Sequence, residues 1–184
     1  MPSHPLELFR YCPRCGSTNF KVNNVKSKKC ADCGFVYYFN PSAATAIFIH
    51  DGERLLVAVR AKDPAAGSYD LPGGFVDMEE SSEEAACREV MEETPLEGIT
   101  PDDLQYLFSL PNIYPYSGFE VHTVDAFFTL RLPDVRIFAG KGKDDVSELL
   151  AIPLAALNPQ TFGLDSIRRA VHRFIEKHNF VGVS

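Results

Sequence analysis

The chain has 184 residues, a formal net charge of −7 and 45% hydrophobic residues, enough for one ordinary domain with a real core plus a small appendage. Its opening, MPSHPLELFR, has neither the charged start nor the long apolar run of a secretory signal. No segment reaches the roughly 18 apolar residues needed to span a membrane, so a cytoplasmic protein with no membrane partner is expected.

Charge is unevenly spread. Residues 1–40 hold six basic and two acidic side chains, whereas the other 144 hold twelve basic and 23 acidic, giving +4 and −11. Such asymmetry predicts two modules, residues 1–40 and 41–184. In the first, Cys12-Pro-Arg-Cys15-Gly and Cys30-Ala-Asp-Cys33-Gly are two CxxC knuckles separated by fourteen residues. Two such thiolate pairs can approach one soft ion from both sides, which predicts a structural, tetrahedral Zn²⁺ in a zinc ribbon. Disulfides would need an oxidising compartment that nothing in the sequence indicates. The ribbon's lysines admit a nucleic-acid contact, but six cations on a hairpin are a weak footprint, and a solvated basic hairpin explains them as well.

Asn40-Pro41 links the modules. Ala43 to His50 is apolar and β-branched enough for a buried strand; Asp51-Gly52 signals a hairpin turn, and Arg54 to Arg60 is the return strand. Tyr69-Asp70-Leu71-Pro72-Gly73-Gly74 then leads into GGFVDMEESSEEAACREVMEETPL, residues 73–96. Ser81 and Glu84 have the spacing of a capping box that starts a helix. Glu89, Glu92 and Glu93 fall at i, i+3 and i+4, so three carboxylates share one helix face, while Ala86, Val90 and Cys87 turn to the other. Arg88 can pair with Glu92, and Glu80 can fold back to the same face. Converging carboxylates suit a hard divalent cation, Mg²⁺ or Mn²⁺, with substrate phosphates completing its shell. A solvated acidic helix is the alternative.

Beyond the helix, Asp102 to Leu110 reads as a strand, Pro111 to Gly118 as a loop, and Val121 to Arg131 as a strand interrupted by His122 and Asp125. Gly140 to Asp145 is a charged loop, Val146 to Pro153 a short strand, and Asp165 to His178 a helix capped by Asp165 or Ser166. The remaining histidines, His122, His172 and His178, have no ligand spacing with the cysteines.

The spacing Gly74, five residues, Glu80, seven residues, Arg88-Glu89-Val90, one residue, Glu92-Glu93 resembles the box of the Nudix hydrolases. The resemblance implies an α/β/α sandwich with a mixed sheet over roughly residues 41–178 and metal-assisted hydrolysis of a nucleoside diphosphate derivative. It also implies Glu92 and Glu93 as principal metal ligands, Glu89 as ligand or general base, Gly74 as a carbonyl ligand, Glu80 in metal or outer contacts, and Arg88 orienting the glutamates. Asp144, Asp145 and Glu148 are reserve candidates for the base. Pro95 stands where the family has glycine; proline cannot adopt that left-handed turn, so the helix is expected to stop near Glu93 by another exit.

A four-cysteine ribbon ahead of a Nudix domain is similar to the NADH pyrophosphatases, which carry a motif SQPWPFPxS. Ser109 to Ser117 keeps the first serine, two prolines, the aromatic before the second and the final serine, without the glutamine, tryptophan and middle proline. Pro111 also falls fifteen residues past Leu96, near a characteristic proline of ADP-ribose pyrophosphatases. Both resemblances imply NADH, ADP-ribose or a related ADP-containing substrate contacted by Pro111, Tyr114 and Tyr116. Tyr114, Tyr116 and Phe119 can stack on a ring for about 1–3 kcal/mol per base, or simply pack on the sheet. Two further possibilities stay open: a homodimer, and a Nudix-fold regulator that binds a nucleotide or RNA without cleaving it.

Overall fold

The computed structural model describes residues 4–116 and 118–179. The chain divides between Pro41 and Ser42 into two units. In the first, β1 (Phe20–Asn24), β2 (Ser27–Cys30) and β3 (Val36–Tyr38) form an antiparallel sheet in that order. Among its described residues the buried cluster is Cys12, Phe20 and Cys30, with Phe9, Cys33, Phe35 and Tyr37 partly covering it. A core that small cannot offset the chain entropy of some forty residues without a cross-link or a metal.

The second unit begins with β4 (Ser42–His50) and β5 (Arg54–Arg60), which pair as a hairpin. Asp51 makes the turn: its carboxylate accepts from the amides of Glu53 and Arg54 at 2.9 and 2.7 Å. There follow β6 (Tyr69–Asp70), α1 (Ser82–Glu93), β7 (Gln105–Tyr116), β8 (Phe119–Arg131), β9 (Gly140–Lys141), β10 (Val146–Pro153) and α2 (Asp165–Asn179). The sheet order is β7-β8-β4-β5-β10-β9, with β6 beside β5. Strands β4 and β8 run parallel from Ser42↔Thr123 to His50↔Arg131, and the other pairs are antiparallel, so the sheet is mixed.

Alternation along the strands splits the core in two. Ile47, Ile49, Leu56 and Phe128 meet Ala86 and Val90 of α1 on one face. Ala46, Phe48, Val57 and Phe127 meet Ile167, Val171 and Phe174 of α2 on the other, where the Phe48 and Phe174 rings stack at 4.2 Å. Each such fully buried side chain contributes about 1.5–3 kcal/mol, and the result is the α/β/α sandwich.

Three expected boundaries are corrected: Pro101–Asp103 form a 3-10 turn, so the strand read from Asp102 begins at Gln105; Gly140–Lys141, read as loop, form β9; and the third lies at Pro111. Pro111 to Tyr116 continues β7 instead of forming a loop, paired with β8 as far as Tyr116↔Phe119. Strand β7 is the sheet's edge, where a proline's missing N–H costs no ladder bond, so Pro111 and Pro115 are tolerated there. Ser117 lies outside the described residues. Among the described residues, no helix is long and apolar enough to cross a membrane.

Candidate active site

Helix α1 starts on the capping box read from the sequence. The Glu84 amide donates to Ser81 Oγ at 3.2 Å, and the Ser81 amide donates to the Glu84 carboxylate at 2.8 Å. The helix ends at Glu93 by an exit that needs no glycine. Thr94 takes extended dihedrals, its amide and its hydroxyl both reach the Val90 carbonyl, at 3.0 and 2.6 Å, and the Leu96 amide donates to Thr94 Oγ1 at 3.1 Å. The threonine hydroxyl thus gives the Val90 carbonyl a second donor and fixes an extended exit, the Glu93 carbonyl accepts the Lys143 amide at 3.3 Å, and Pro95 fits after it.

On the exposed face of α1, Arg88 is the hub. Its guanidinium grips both oxygens of Glu80 at 3.0 Å, donates to Glu89 Oε1 at 2.8 Å and Glu92 Oε2 at 3.1 Å, and reaches the Phe75 carbonyl at 3.0 Å. One rigid fork therefore positions three carboxylates and the loop before the helix. Arg88 holds the Glu80 carboxyl below its usual range, whereas burial pushes the Glu89 carboxyl up. Glu93 is buried, and burial, reinforced by the charges of Glu89, Asp70 and Asp145, pushes its carboxyl up to about 8. The Gly73 amide, at 3.0 Å, opposes that shift.

The two glycines ahead of the helix have separate jobs. At Gly73, φ is +151°, and a Cβ there would lie 2.1 Å from the Thr45 carbonyl oxygen. A Cβ on Gly74 would lie 2.4 Å from Glu89 Oε1. Gly73 therefore lets the loop sit on β4, and Gly74 leaves room for the Glu89 carboxylate. The Gly74 carbonyl accepts from the Thr45 amide at 2.8 Å, which uses one of its two lone pairs.

Gly73, Gly74, Arg88, Glu89, Glu92 and Glu93 form one wall of a cleft of about 350 Å³, which Glu80 does not line. The floor carries Ala44, Thr45 and Ala58, and the other wall carries Asn112, Tyr114, Thr123, Asp125, Leu164 and Ile167. Tyr114 stands edge-on to Phe75 at 5.8 Å, and its hydroxyl accepts from Arg60 Nη2 at 3.4 Å; Arg60 is itself paired with the buried Asp70 at 2.5 Å. Tyr116 stacks on Tyr114 at 6.5 Å but is largely exposed, and Pro111 lies outside the cleft with its carbonyl bonded by Arg169. Of the reserve carboxylates, Asp144 and Asp145 line the cleft and Glu148 does not. Asp145 is paired with Lys62. Arg60, Asp70, Asn112 and Thr123 were not singled out from the sequence. The parity of Thr123 and Asp125 with the apolar Val121 and Phe127 is the signal that they point inward.

The donor set fits a hard cation. Arg88 takes one oxygen each of Glu89 and Glu92, and Gly73 takes one of Glu93, so each has a second oxygen to offer, and the single guanidinium does not balance the carboxylates around it. Beneath Gly73, the buried Thr45 hydroxyl has no hydrogen-bond partner among the described residues.

In the first unit, the four cysteine Sγ atoms lie within 4.8 Å of one another, with Cys12 to Cys33 and Cys15 to Cys30 both at 3.7 Å. A tetrahedral zinc with bonds of about 2.3 Å requires sulfurs roughly 3.8 Å apart. Each knuckle closes on a left-handed glycine: the Gly16 amide donates to the Cys12 carbonyl at 2.8 Å and the Gly34 amide to that of Cys30 at 3.1 Å. The Cys33 amide lowers the Cys30 thiol to about 7, towards the thiolate a metal needs.

Comparison with known proteins agrees with this geometry. The sequence model described as NUDIX domain matches residues 40–174. A NAD-capped RNA hydrolase NudC of Vibrio atlanticus (strain LGP32) is 26% identical over 170 residues, covering 91% of this chain and 62% of that protein, so the chain spans less than two thirds of that relative. A NUDIX hydrolase crystal structure from Nitrosomonas europaea superposes with a TM-score of 0.66 over 93% of both chains at 18% identity. The NUDIX domain of Shewanella oneidensis NrtR complexed with ADP ribose gives a TM-score of 0.56 over 75% of this chain and 88% of that one at 20% identity, a likeness of fold.

Proposed function

The chain belongs to the NUDIX domain family, and from that footing we propose that it is a metal-dependent pyrophosphohydrolase of an ADP-containing nucleoside diphosphate derivative, NADH and ADP-ribose being the leading substrates. The observation that carries this reading is the convergence of Glu89, Glu92 and Glu93 of α1 on one wall of a cleft whose other wall is polar and aromatic, Glu89 and Glu92 held by Arg88 and Glu93 by the Gly73 amide.

In this reading Glu92 and Glu93 hold Mg²⁺ or Mn²⁺, with Glu89 and the Gly74 carbonyl beside them. The bound metal would neutralise pyrophosphate charge and make a water nucleophilic near neutral pH. Glu80 and Arg88 act through the others: with both Glu80 oxygens on the guanidinium, this pair fixes where Glu89 and Glu92 point. Glu89 is the proposed acceptor of the water's proton, with Asp144 and Asp145, which line the same cleft, in reserve. Tyr114, supported by Arg60 and Phe75, offers a ring edge and hydroxyl to the substrate, with Tyr116 beyond it at the rim. In the first unit, Cys12, Cys15, Cys30 and Cys33 hold a structural zinc, which suits a reducing compartment such as the cytoplasm.

The test is a panel of NADH, NAD⁺, ADP-ribose, ADP-sugars, dinucleoside polyphosphates, nucleoside triphosphates and NAD-capped RNA with Mg²⁺ or Mn²⁺. Turnover is expected for an ADP-containing diphosphate, and Glu92→Gln should abolish it while leaving the fold intact. Binding without turnover across the whole panel would overturn the hydrolase reading.

A further inference from the structure

The wall of the cleft opposite α1 has a chemistry that pyrophosphate hydrolysis does not use. On the α2 side of β7 and β8, cross-strand pairs run Phe108↔Phe127, Leu110↔Asp125, Asn112↔Thr123 and Tyr114↔Val121. Directly opposed residues share a face, so this surface passes from the aromatic core under α2, through a polar patch, to the Tyr114 ring. The patch is Asp125, Thr123 and Asn112, and all three line the cleft.

Asp125 and Thr123 are buried, at 6% and 3% exposure. Each carboxylate oxygen of Asp125 accepts one hydroxyl, from Thr123 at 2.5 Å and from Ser166 of α2 at 2.6 Å. A carboxylate has about four acceptor positions, so two remain, and the nearby start of α2 favours a negative charge there. Asn112, diagonal to Asp125 across the ladder at a Cβ separation of roughly 7 Å, brings an amide donor to the same patch. An acceptor and a donor side by side complement the edge of adenine, whose 6-amino group donates and whose N1 accepts. Hypoxanthine presents the opposite pattern at both positions. Tyr114 and the apolar Leu164 and Ile167 line the same cleft and offer surfaces for the ring.

We infer that Asp125 and Asn112 form a base-reading site that selects a 6-amino purine over a 6-oxo purine, with Thr123 and Ser166 holding the Asp125 carboxylate in place. This rests on the proposed reading of the cleft as the site of an ADP-containing diphosphate, and it assigns the adenine end to the β7–β8 wall.

The test compares ADP-ribose with its hypoxanthine counterpart, inosine diphosphate ribose, on the full-length protein. Binding is measured by calorimetry with Ca²⁺, and hydrolysis separately with Mg²⁺. Wild type is expected to favour the adenine ligand at least tenfold in both, since a site built around hydrogen bonds rejects ligands that mismatch them. Asp125→Asn, which turns an acceptor into a donor at constant shape, should reduce that preference at least tenfold by raising the relative affinity for the hypoxanthine ligand. Equal wild-type affinities, or an equal loss for both ligands in D125N, would show that Asp125 merely anchors α2 and would overturn the inference. If D125N does not fold, the wild-type ratio and Asn112→Asp, expected to lower the same preference, decide it. Hydrolysis of both ligands at the same rate and affinity removes the base site and leaves the hydrolase reading standing. Selective binding without hydrolysis of any compound does the reverse, and absence of binding to either ligand removes both.

Discussion

Replacing Glu93 with glutamine should separate stability from activity. The side chain is 8% exposed, and burial lifts its carboxyl from an ordinary 4.5 to about 8. A group whose folded value is raised contributes stability that is complete below its unfolded value and is lost as pH rises through the folded one. For Glu93 the window is therefore pH 4.5 to 8, across which the metal-free protein loses stability as the unfolded chain sheds a proton that the folded chain retains. At about 1.4 kcal/mol per pH unit the full span amounts to several kcal/mol, and half of that survives a generous allowance for relaxation. Glutamine keeps the shape and can still accept the Gly73 amide, but it never ionises. Without added Mg²⁺ or Mn²⁺, E93Q and wild type should melt together at pH 5, and E93Q should melt roughly 5–10 °C higher at pH 9, at 2–4 °C per kcal/mol for a chain of this size. Scanning calorimetry at pH 5, 7 and 9, with zinc retained, measures this. E93Q should also lose metal-dependent turnover, because in the proposed site the charge that destabilises the metal-free fold is the one that would bind the cation. A melting difference that does not change with pH would refute the reasoning, since Glu93 would then be ionised throughout.

Three further outcomes follow from particular contacts. Arg88→Lys keeps the charge but cannot fork between Glu80, Glu89 and Glu92, so metal affinity or kcat/KM should fall about 10–100-fold, with a small change in melting temperature because the pairs are partly exposed. The adjacent glycines should fail differently. Gly73→Ala drives a Cβ into the β4 backbone and should lower stability by more than about 2 kcal/mol, whereas Gly74→Ala meets only the end of Glu89 and should leave the melting point nearly unchanged while activity drops. Circular dichroism melts with parallel assays distinguish the two. Elemental analysis of protein prepared without chelators should find about one zinc per chain, and Cys30→Ser should abolish it and unfold the first unit, seen as loss of protection in hydrogen exchange over residues 4–41.

Much of this molecule is written locally. The capping box, the i, i+3, i+4 carboxylates and the CxxC knuckles depend on residues a turn or a hairpin apart, so their spacing in the sequence is already their geometry. The end of α1 at Glu93 was legible for the same reason, since proline restricts its own residue and its neighbour. The Thr94 exit was not, because a threonine hydroxyl has many partners and only the folded backbone selects the Val90 carbonyl. Strand β7 shows the other limit. Two prolines read as a loop until the sheet order places that strand at an edge, where their missing amides face no neighbour.

The sequence by itself determined the acidic helix and the four-thiolate cluster, because short-range spacing and side-chain type suffice for each. Tertiary structure decided what faces that helix. Asn112, Thr123 and Asp125 are separated from Glu93 by long stretches of chain, and only the parallel pairing of β4 with β8, together with the antiparallel return to β7, brings them to the same cleft. Pairing across such loops is set by burial of both sheet faces at once, which no local window of residues contains.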